Sequence, residues 1–141
     1  MSALTNVLAS LWTARLLILA GFLLGWGSLS ATVGHIGNDS FLLVGGVQTH
    51  SWHHFFRELG GDFGAMAAIL LIMFAAPRFR TTMSWWVVLI LMVGFYAPFW
   101  AGTPFMAELG APSRGAEINH LSMAVPALLG CFLSKRHFRG S

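Results

Sequence analysis

The chain has 141 residues, of which 56% are hydrophobic and 9% are charged. A soluble domain carries roughly 25% charged residues, so this sequence has too little polar surface to cover a globule in water. The net charge of +3 is small and is divided between the termini and the loops, which indicates orientation in a membrane rather than nucleic-acid binding. The single cysteine, Cys131, excludes an internal disulfide, and no CxxC motif is present.

The length and the apolar composition predict one integral membrane domain over residues 1–141, of all-α fold class. A spanning helix needs about 20 apolar residues, and the sequence offers about four such transmembrane helices. We expect them at about residues 7–33, 50–76, 83–101 and 118–133. Pro77 ends the second helix, because proline cannot continue a helix.

The basic residues predict how this bundle is oriented. Arg78 and Arg80 lie between the second and third helices, and Lys135, Arg136 and Arg139 follow the fourth. The positive-inside rule places these groups, and therefore both termini, in the cytoplasm. The acidic residues and most histidines then face the outside. We expect a multi-pass protein of the cell membrane, of the bacterial inner-membrane kind.

Two pairs of glycines have the GxxxG spacing that lets helices approach closely in lipid. Gly21 and Gly25 lie in the first helix, and Gly60 and Gly64 lie in the second. Without side chains at these positions, two backbones can pack directly against each other. We predict packing inside the bundle at both pairs, with a dimer interface as the alternative.

The segment from Thr49 to Asp62, with the sequence THSWHHFFRELGGD, carries an unusual set of ionisable residues. Histidines and carboxylates recur every fourth residue, which predicts a helix with one ionisable face and one largely aromatic face. The residues at this spacing are His50, His54, Glu58 and Asp62, with His53 and Arg57 beside them. Asp62 is expected to lie deepest, where a carboxylate needs a partner or water.

A second group of polar residues begins the fourth helix. Glu117 and His120 form an ExxH pair, which shares one helix face. We expect the second and fourth helices to direct their carboxylates and imidazoles into one pocket at the outer side of the bilayer. Arg114 precedes this pair and, like Arg57, is a candidate contact for an anion or a partner.

Several kinds of site are compatible with this residue set. Imidazole and carboxylate groups bind zinc, copper or non-haem iron, and an HxxxH pair can also bind a haem. A proton, quinone or anionic-ligand site, or a hydrogen-bonded cap in contact with water, uses the same side chains. The candidate ligand or metal residues are His50, His53, His54, Glu58, Asp62, Glu117 and His120.

The entry into the second helix reads Arg57-Glu58-Leu59-Gly60-Gly61, after an outer loop and before a short basic inner loop. In this layout the chain resembles the small four-helix membrane proteins of the DoxX-like kind. The resemblance covers the chain at the level of topology. It implies a four-helix membrane fold and a role as a subunit of a membrane oxidoreductase.

Three functions remain open at this point. The first is a non-catalytic accessory subunit of a larger membrane redox complex, whose partners are the lipid bilayer and other membrane subunits or further copies of the chain. The second is a binding module for a quinone, a lipid or a haem. The third is a small metal-dependent membrane enzyme, which ranks last because no nucleophile–base pair, phosphate loop or dinucleotide fingerprint is readable.

Overall fold

A computed structural model describes residues 3–38, 43–44, 47–48, 50–111 and 113–139. The chain is helical, which confirms the all-α prediction apart from one short antiparallel ladder. The helices are α1 (Ala3–Leu8), α2 (Leu11–Leu24), α3 (Trp26–Asn38), α4 (His50–Phe74), α5 (Thr82–Tyr96), α6 (Pro98–Ala101) and α7 (Arg114–Ser134). Between α3 and α4, strand β1 (Leu43–Val44) pairs with strand β2 (Val47–Gln48).

Two helical segments of the described chain are long and apolar enough to cross a membrane. They are Leu11–Ser30, of 20 residues, and Arg114–His137, of 24 residues. The helix Thr82–Tyr96 is equally apolar, but it has only 15 residues. Helix α4 has 25 residues, and its first half carries the ionisable residues singled out above.

The first predicted helix is interrupted, contrary to the expectation of one helix from 7 to 33. Ser10 is extended and caps α2, because its hydroxyl accepts a hydrogen bond of 3.1 Å from the backbone N–H of Trp12. A further turn at Gly25 separates α2 from α3. Serine favours such a break because its hydroxyl forms hydrogen bonds with nearby backbone groups. Glycine favours one because it leaves the backbone dihedral angles unrestricted.

The other boundaries also follow from caps and prolines. Helix α7 begins at Arg114 rather than near 118, because the hydroxyl of Ser113 accepts a hydrogen bond of 3.1 Å from Ala116 N–H. Helix α4 ends at Phe74, shortly before Pro77. Helix α5 ends at Tyr96 rather than near 101, because Pro98 has no N–H to donate and starts the separate helix α6.

The closest helix contact joins α2 to α7, which run antiparallel. A methyl group added at Gly130 would lie 2.6 Å from the backbone oxygen of Ala14, and one at Gly21 would lie 2.6 Å from the backbone oxygen of Met123. Only glycine therefore allows the two backbones to lie this close. Ala127, on the same face of α7, is fully buried.

The two GxxxG pairs have different surroundings. Gly25 lies against the sulfur of Met123, where an added methyl group would approach to 2.9 Å, so the first pair packs against α7. An added methyl group at Gly60 or Gly64 would meet no atom of the described chain within 4 Å. The predicted packing of the second pair inside the bundle is therefore not found, and this face of α4 is open.

Side chains from distant parts of the chain bond backbone oxygens where α4 and α1 end. Arg15 Nε donates a hydrogen bond of 2.9 Å to Met73 O, and its guanidinium lies 4.9 and 4.8 Å from the ring centroids of Trp12 and Phe74. Arg136 Nη2 donates to Leu8 O over 2.6 Å. A cation near a helix C-terminus is favourable, because the exposed carbonyls there carry partial negative charge.

More basic residues lie in the same region. Lys135 Nζ is 4.9 Å from the centroid of the Trp85 ring, and the Trp85 indole donates to Cys131 O over 3.0 Å. We call this end of the bundle the basic end; its cationic residues are Arg15, Arg78, Arg80, Lys135, Arg136 and Arg139. Their gathering at one end agrees with the grouping expected from the sequence.

Candidate functional site

A cavity lies at the opposite end of the bundle, which we call the acidic end because Glu58, Asp62 and Glu117 lie there. Its volume is about 330 Å³. Residues from α2, α3, α4, α5, α6 and α7 line it. The polar lining residues are Ser28, Glu58, Asp62, Tyr96 and His120, and the aromatic ones beside them are Phe22, Phe55, Phe95 and Phe99.

Helix α4 presents both of its carboxylates to this cavity. Glu58 and Asp62 are one turn apart and line it together with Phe55, Leu59 and Met66. Spacings of three, four and seven residues place these side chains on one face of the helix. The predicted separation of an ionisable face from an aromatic face is therefore wrong between Phe55 and Met66, because carboxylates and apolar side chains share the inner face there.

The histidines of α4 lie elsewhere. His53 and His54 are exposed and do not line the cavity, and their rings lie 6.2 Å apart. The side chain of His50 is outside the described residues. A residue rotates by 100° about an α-helix, so each four-residue step turns about 40° further. His54 is therefore about 80° away from Asp62 around the helix, although both belong to the four-residue series.

The two members of the ExxH pair have separate contacts. His120 is buried and lines the cavity. Glu117 does not line it, and its Oε1 accepts a hydrogen bond of 3.1 Å from the Trp100 indole N–H. The two arginines proposed as anion or partner contacts, Arg57 and Arg114, are exposed and also lie outside the cavity lining.

His120 is held in one orientation by contacts on several sides. Its Nε2 lies 2.9 Å from Tyr96 O, and its ring stacks on Phe99 with 4.1 Å between centroids and 6° between planes. Trp100 meets the ring edge-on at 4.9 Å. Tyr96 O is available because the Trp100 N–H, which a continuous helix would direct to it, donates to Ala97 O.

This hydrogen bond also fixes the tautomer of His120. A backbone carbonyl can only accept, so Nε2 must carry the proton and donate it. In the neutral ring, Nδ1 is then a hydrogen-bond acceptor. No described residue donates to Nδ1. The imidazole therefore presents an acceptor at the wall of the cavity.

Tyr96 was not predicted from the sequence, although it is the only tyrosine of the chain. The residue is 2% exposed and lines the cavity. Its hydroxyl oxygen is buried and has no hydrogen-bond partner among the described residues. Leaving a buried polar group without a partner costs about 1–3 kcal/mol, so a bound molecule or water that pairs with this hydroxyl would be stabilised.

The predicted metal site is not assembled by the described side chains. No group of three or more His, Cys, Asp or Glu residues among them is close enough to hold a metal ion. The side chains of His50 and Glu108 are outside the described set. Within the described part, the cavity combines two carboxylates, one imidazole acceptor and one phenol with an aromatic wall, which suits a small molecule better than a metal.

Comparisons with known proteins do not extend this picture. No family model, no curated protein and no solved structure matches the chain. The resemblance to the DoxX-like proteins therefore stays a prediction.

Proposed function

We propose that the chain is a multi-pass membrane protein that binds a small, largely apolar molecule in the cavity at its acidic end. The observation that supports this proposal most strongly is the cavity itself. It is an open cavity lined by residues from α2 to α7, and its polar groups lie on an otherwise apolar wall. Binding sites for small molecules are commonly concave, mostly apolar and provided with a few polar groups.

The outer surface of α5 supports a lipid environment. This helix contains no charged residue, and after Thr82 its outward side chains are apolar. The exposed fractions reach 72% for Met83 and 66% for Ile90. Such a continuous apolar surface is unfavourable in water and favourable against lipid tails.

The positions of the charged residues support about four spanning segments rather than two. Along α4, Glu58 and Met73 are separated by about 22 Å at 1.5 Å per residue. Helix α5 lacks the length to cross alone, but α6 continues it after a single residue, Ala97. In this arrangement the basic end faces the cytoplasm and the cavity opens toward the outer side.

The dimensions of the cavity limit the ligand. A volume of about 330 Å³ lies at the lower end of the range of small-molecule sites, about 300–1,000 Å³. A whole haem or a complete phospholipid is too large for it, whereas a single ring with a short chain has a suitable size. The aromatic wall and the phenol of Tyr96 give such a ligand both apolar contact and a hydrogen-bond partner.

Photolabelling in mild detergent tests this proposal. A diazirine derivative of phenylbutanol should label peptides from α4 and α6 that contain Phe55, Met66 or Phe99. Excess unlabelled phenylbutanol should remove this labelling, because a site that holds one molecule saturates. Labelling of exposed residues such as Ile90, which lipid or detergent covers, should not saturate.

A matched pair of variants gives the control. Ser28 lines the cavity, so Ser28→Phe should fill part of it and reduce the saturable labelling at least threefold. Ser30 is exposed and does not line the cavity, so Ser30→Phe should leave the labelling unchanged. If all labelling is unsaturable, or if both variants reduce it equally, the cavity is not a binding site.

A second candidate is a role as an accessory subunit of a larger membrane complex, as the DoxX-like resemblance implies. The observation in its favour is the open face of α4 at Gly60 and Gly64, which no described atom of the chain covers. Bulky residues there would block a close helix partner. Purification in mild detergent should yield further subunits with the native chain and fewer with Gly64→Leu. An unchanged set of co-purifying chains would argue against this role.

A further inference from the structure

The polar atoms of the cavity are mostly hydrogen-bond acceptors. Glu58 and Asp62 line the cavity, and an ionised carboxylate can accept hydrogen bonds but cannot donate them. His120 presents Nδ1 as an acceptor, because its Nε2 proton is already donated to Tyr96 O. The hydroxyls of Tyr96 and Ser28 are the lining groups that can either donate or accept. A ligand complementary to this set must bring its own N–H or O–H donors.

Within the part of the chain that the structure describes, the two carboxylates also have no cationic partner. No Lys, Arg or His among the described residues forms an ion pair with Glu58 or Asp62. Arg57 is adjacent in sequence, but its side chain is exposed and does not line the cavity. Since the carboxylates are one helical turn apart, they repel each other, and a positive charge placed between them would remove that repulsion.

The buried phenol is an independent indication of a ligand. Tyr96 is 2% exposed, and its hydroxyl has no partner in the described chain. It lines the same cavity as the carboxylates. The aromatic rings of Phe22, Phe55 and Phe99 complete the wall, and ring faces attract cations as well as apolar groups.

From these observations we propose that the ligand of this cavity is a protonated organic amine with an apolar, preferably aromatic, body. The ammonium group lies between Glu58 and Asp62, and the apolar body lies against the phenylalanine rings. This inference rests on the proposed function, because it names the class of ligand for the same cavity. The proposed function gives the size and apolar character of the ligand, and this inference adds its positive charge.

Other ligand classes match the cavity less well. A quinone presents carbonyl acceptors, and these would meet the acceptor groups of Glu58, Asp62 and His120, with only the hydroxyls of Tyr96 and Ser28 able to donate. A carboxylate ligand would be repelled by Glu58 and Asp62. An inorganic cation would need further ligands, and the described residues supply no group of three.

Competition against the photoprobe tests the charge preference. Phenylbutylamine, phenylbutanol and phenylbutanoate share one skeleton, and near neutral pH the amine is cationic and the acid anionic. We expect the amine to compete with the labelling at concentrations at least tenfold lower than the alcohol, and the acid to compete least. All three measurements use the unmodified full chain, so they do not depend on the folding of a variant.

Variants of the two carboxylates test whether these residues cause the preference for the amine. Glu58→Gln and Asp62→Asn should each reduce competition by the amine at least fivefold and change competition by the alcohol less than twofold. Glu117→Gln is the matched control, because Glu117 is at the same end of the bundle but outside the cavity. It should leave both competitors unchanged.

The outcomes separate the two proposals. If the alcohol competes as well as the amine, the cavity binds apolar molecules but the inferred amine is wrong. If the amine preference persists when Glu58 and Asp62 are both replaced, it arises from detergent partitioning, and the inference is again wrong. If none of the three compounds competes, the proposed function itself is wrong.

Discussion

The two ends of the helix bundle are built in opposite ways. At the basic end, side chains bond backbone oxygens of distant helices, as Arg15 does with Met73 and Arg136 with Leu8. At the acidic end, the helices surround a cavity, and the carboxylates of Glu58 and Asp62 form no ion pair within the described chain. At the basic end these side chains bond the protein's own backbone, whereas at the acidic end Glu58 and Asp62 are left for the proposed ligand.

This difference indicates how small residues can provide both close helix packing and the space of the proposed site. The closest packing, between α2 and α7, depends on glycine and alanine and extends toward the basic end. Toward the acidic end, Gly21, Gly25 and Ser28 line the cavity instead of carrying larger side chains into it. Small residues thus bring the helices together in one region and leave space in the next. Substitutions can test whether the two ends contribute unequally to stability.

The largest effect is expected at the α2–α7 contact. Gly130→Leu would force the α7 backbone away from Ala14, and we expect it to lower the free energy of unfolding by about 3 kcal/mol. The control is Gly64→Leu, at a glycine with no neighbour within 4 Å, which should change stability by at most about 1 kcal/mol and in the favourable direction. Denaturant titration in detergent micelles measures both. Equal destabilisation by the two variants would show that the α2–α7 contact is not special.

A smaller effect is expected where Arg15 bonds the end of α4. Arg15→Ala removes the hydrogen bond to Met73 O and the contacts with two aromatic rings, so it should cost about 2 kcal/mol in the same titration. Arg78 is exposed and contacts only the neighbouring Phe79 ring. Arg78→Ala removes the same charge and should cost about 0.5 kcal/mol or less. A similar loss in both variants would mean that net charge, and not the bond to α4, supports this end.

The smallest effect is expected at the acidic end. His120→Phe keeps a flat ring that can stack on Phe99 but leaves Tyr96 O without its partner, and it should cost about 1 kcal/mol. The exposed His53 provides the control, since His53→Phe should be neutral within about 0.5 kcal/mol. If His120→Phe lowered the free energy of unfolding more than Gly130→Leu does, the acidic end would contribute more to stability than the α2–α7 contact, contrary to our expectation.

Much of this organisation was readable from residue types and spacing. Apolar runs, prolines and basic loops predicted the helical class and the gathering of basic residues at one end. The i, i+4 spacing correctly placed Glu58 and Asp62 close together, and His120 was expected in the same pocket. Those inferences depend on local geometry, which the sequence determines directly.

Other features depend on contacts that local patterns do not encode. The four-residue series turns about 40° per step, so Glu58 and Asp62 line the cavity and His54 does not, and the rotation of α4 in the bundle decides which members face inward. Tyr96 lies in a helix that is apolar on all sides, so no periodicity marks its inner face. Glu117 was predicted to face the pocket but bonds Trp100, which Pro98 places beside it by starting a new helix.

The pairing of α2 with α7 has a consequence for the order in which the protein is made. Arg136 and Leu8, which are joined by a hydrogen bond, are 128 positions apart in sequence. The surface of α2 at Gly21 therefore has no partner until α7 has been synthesised. Contacts of such long sequence separation form slowly, so α7 should pack on α2 after α4 and α5 have already met.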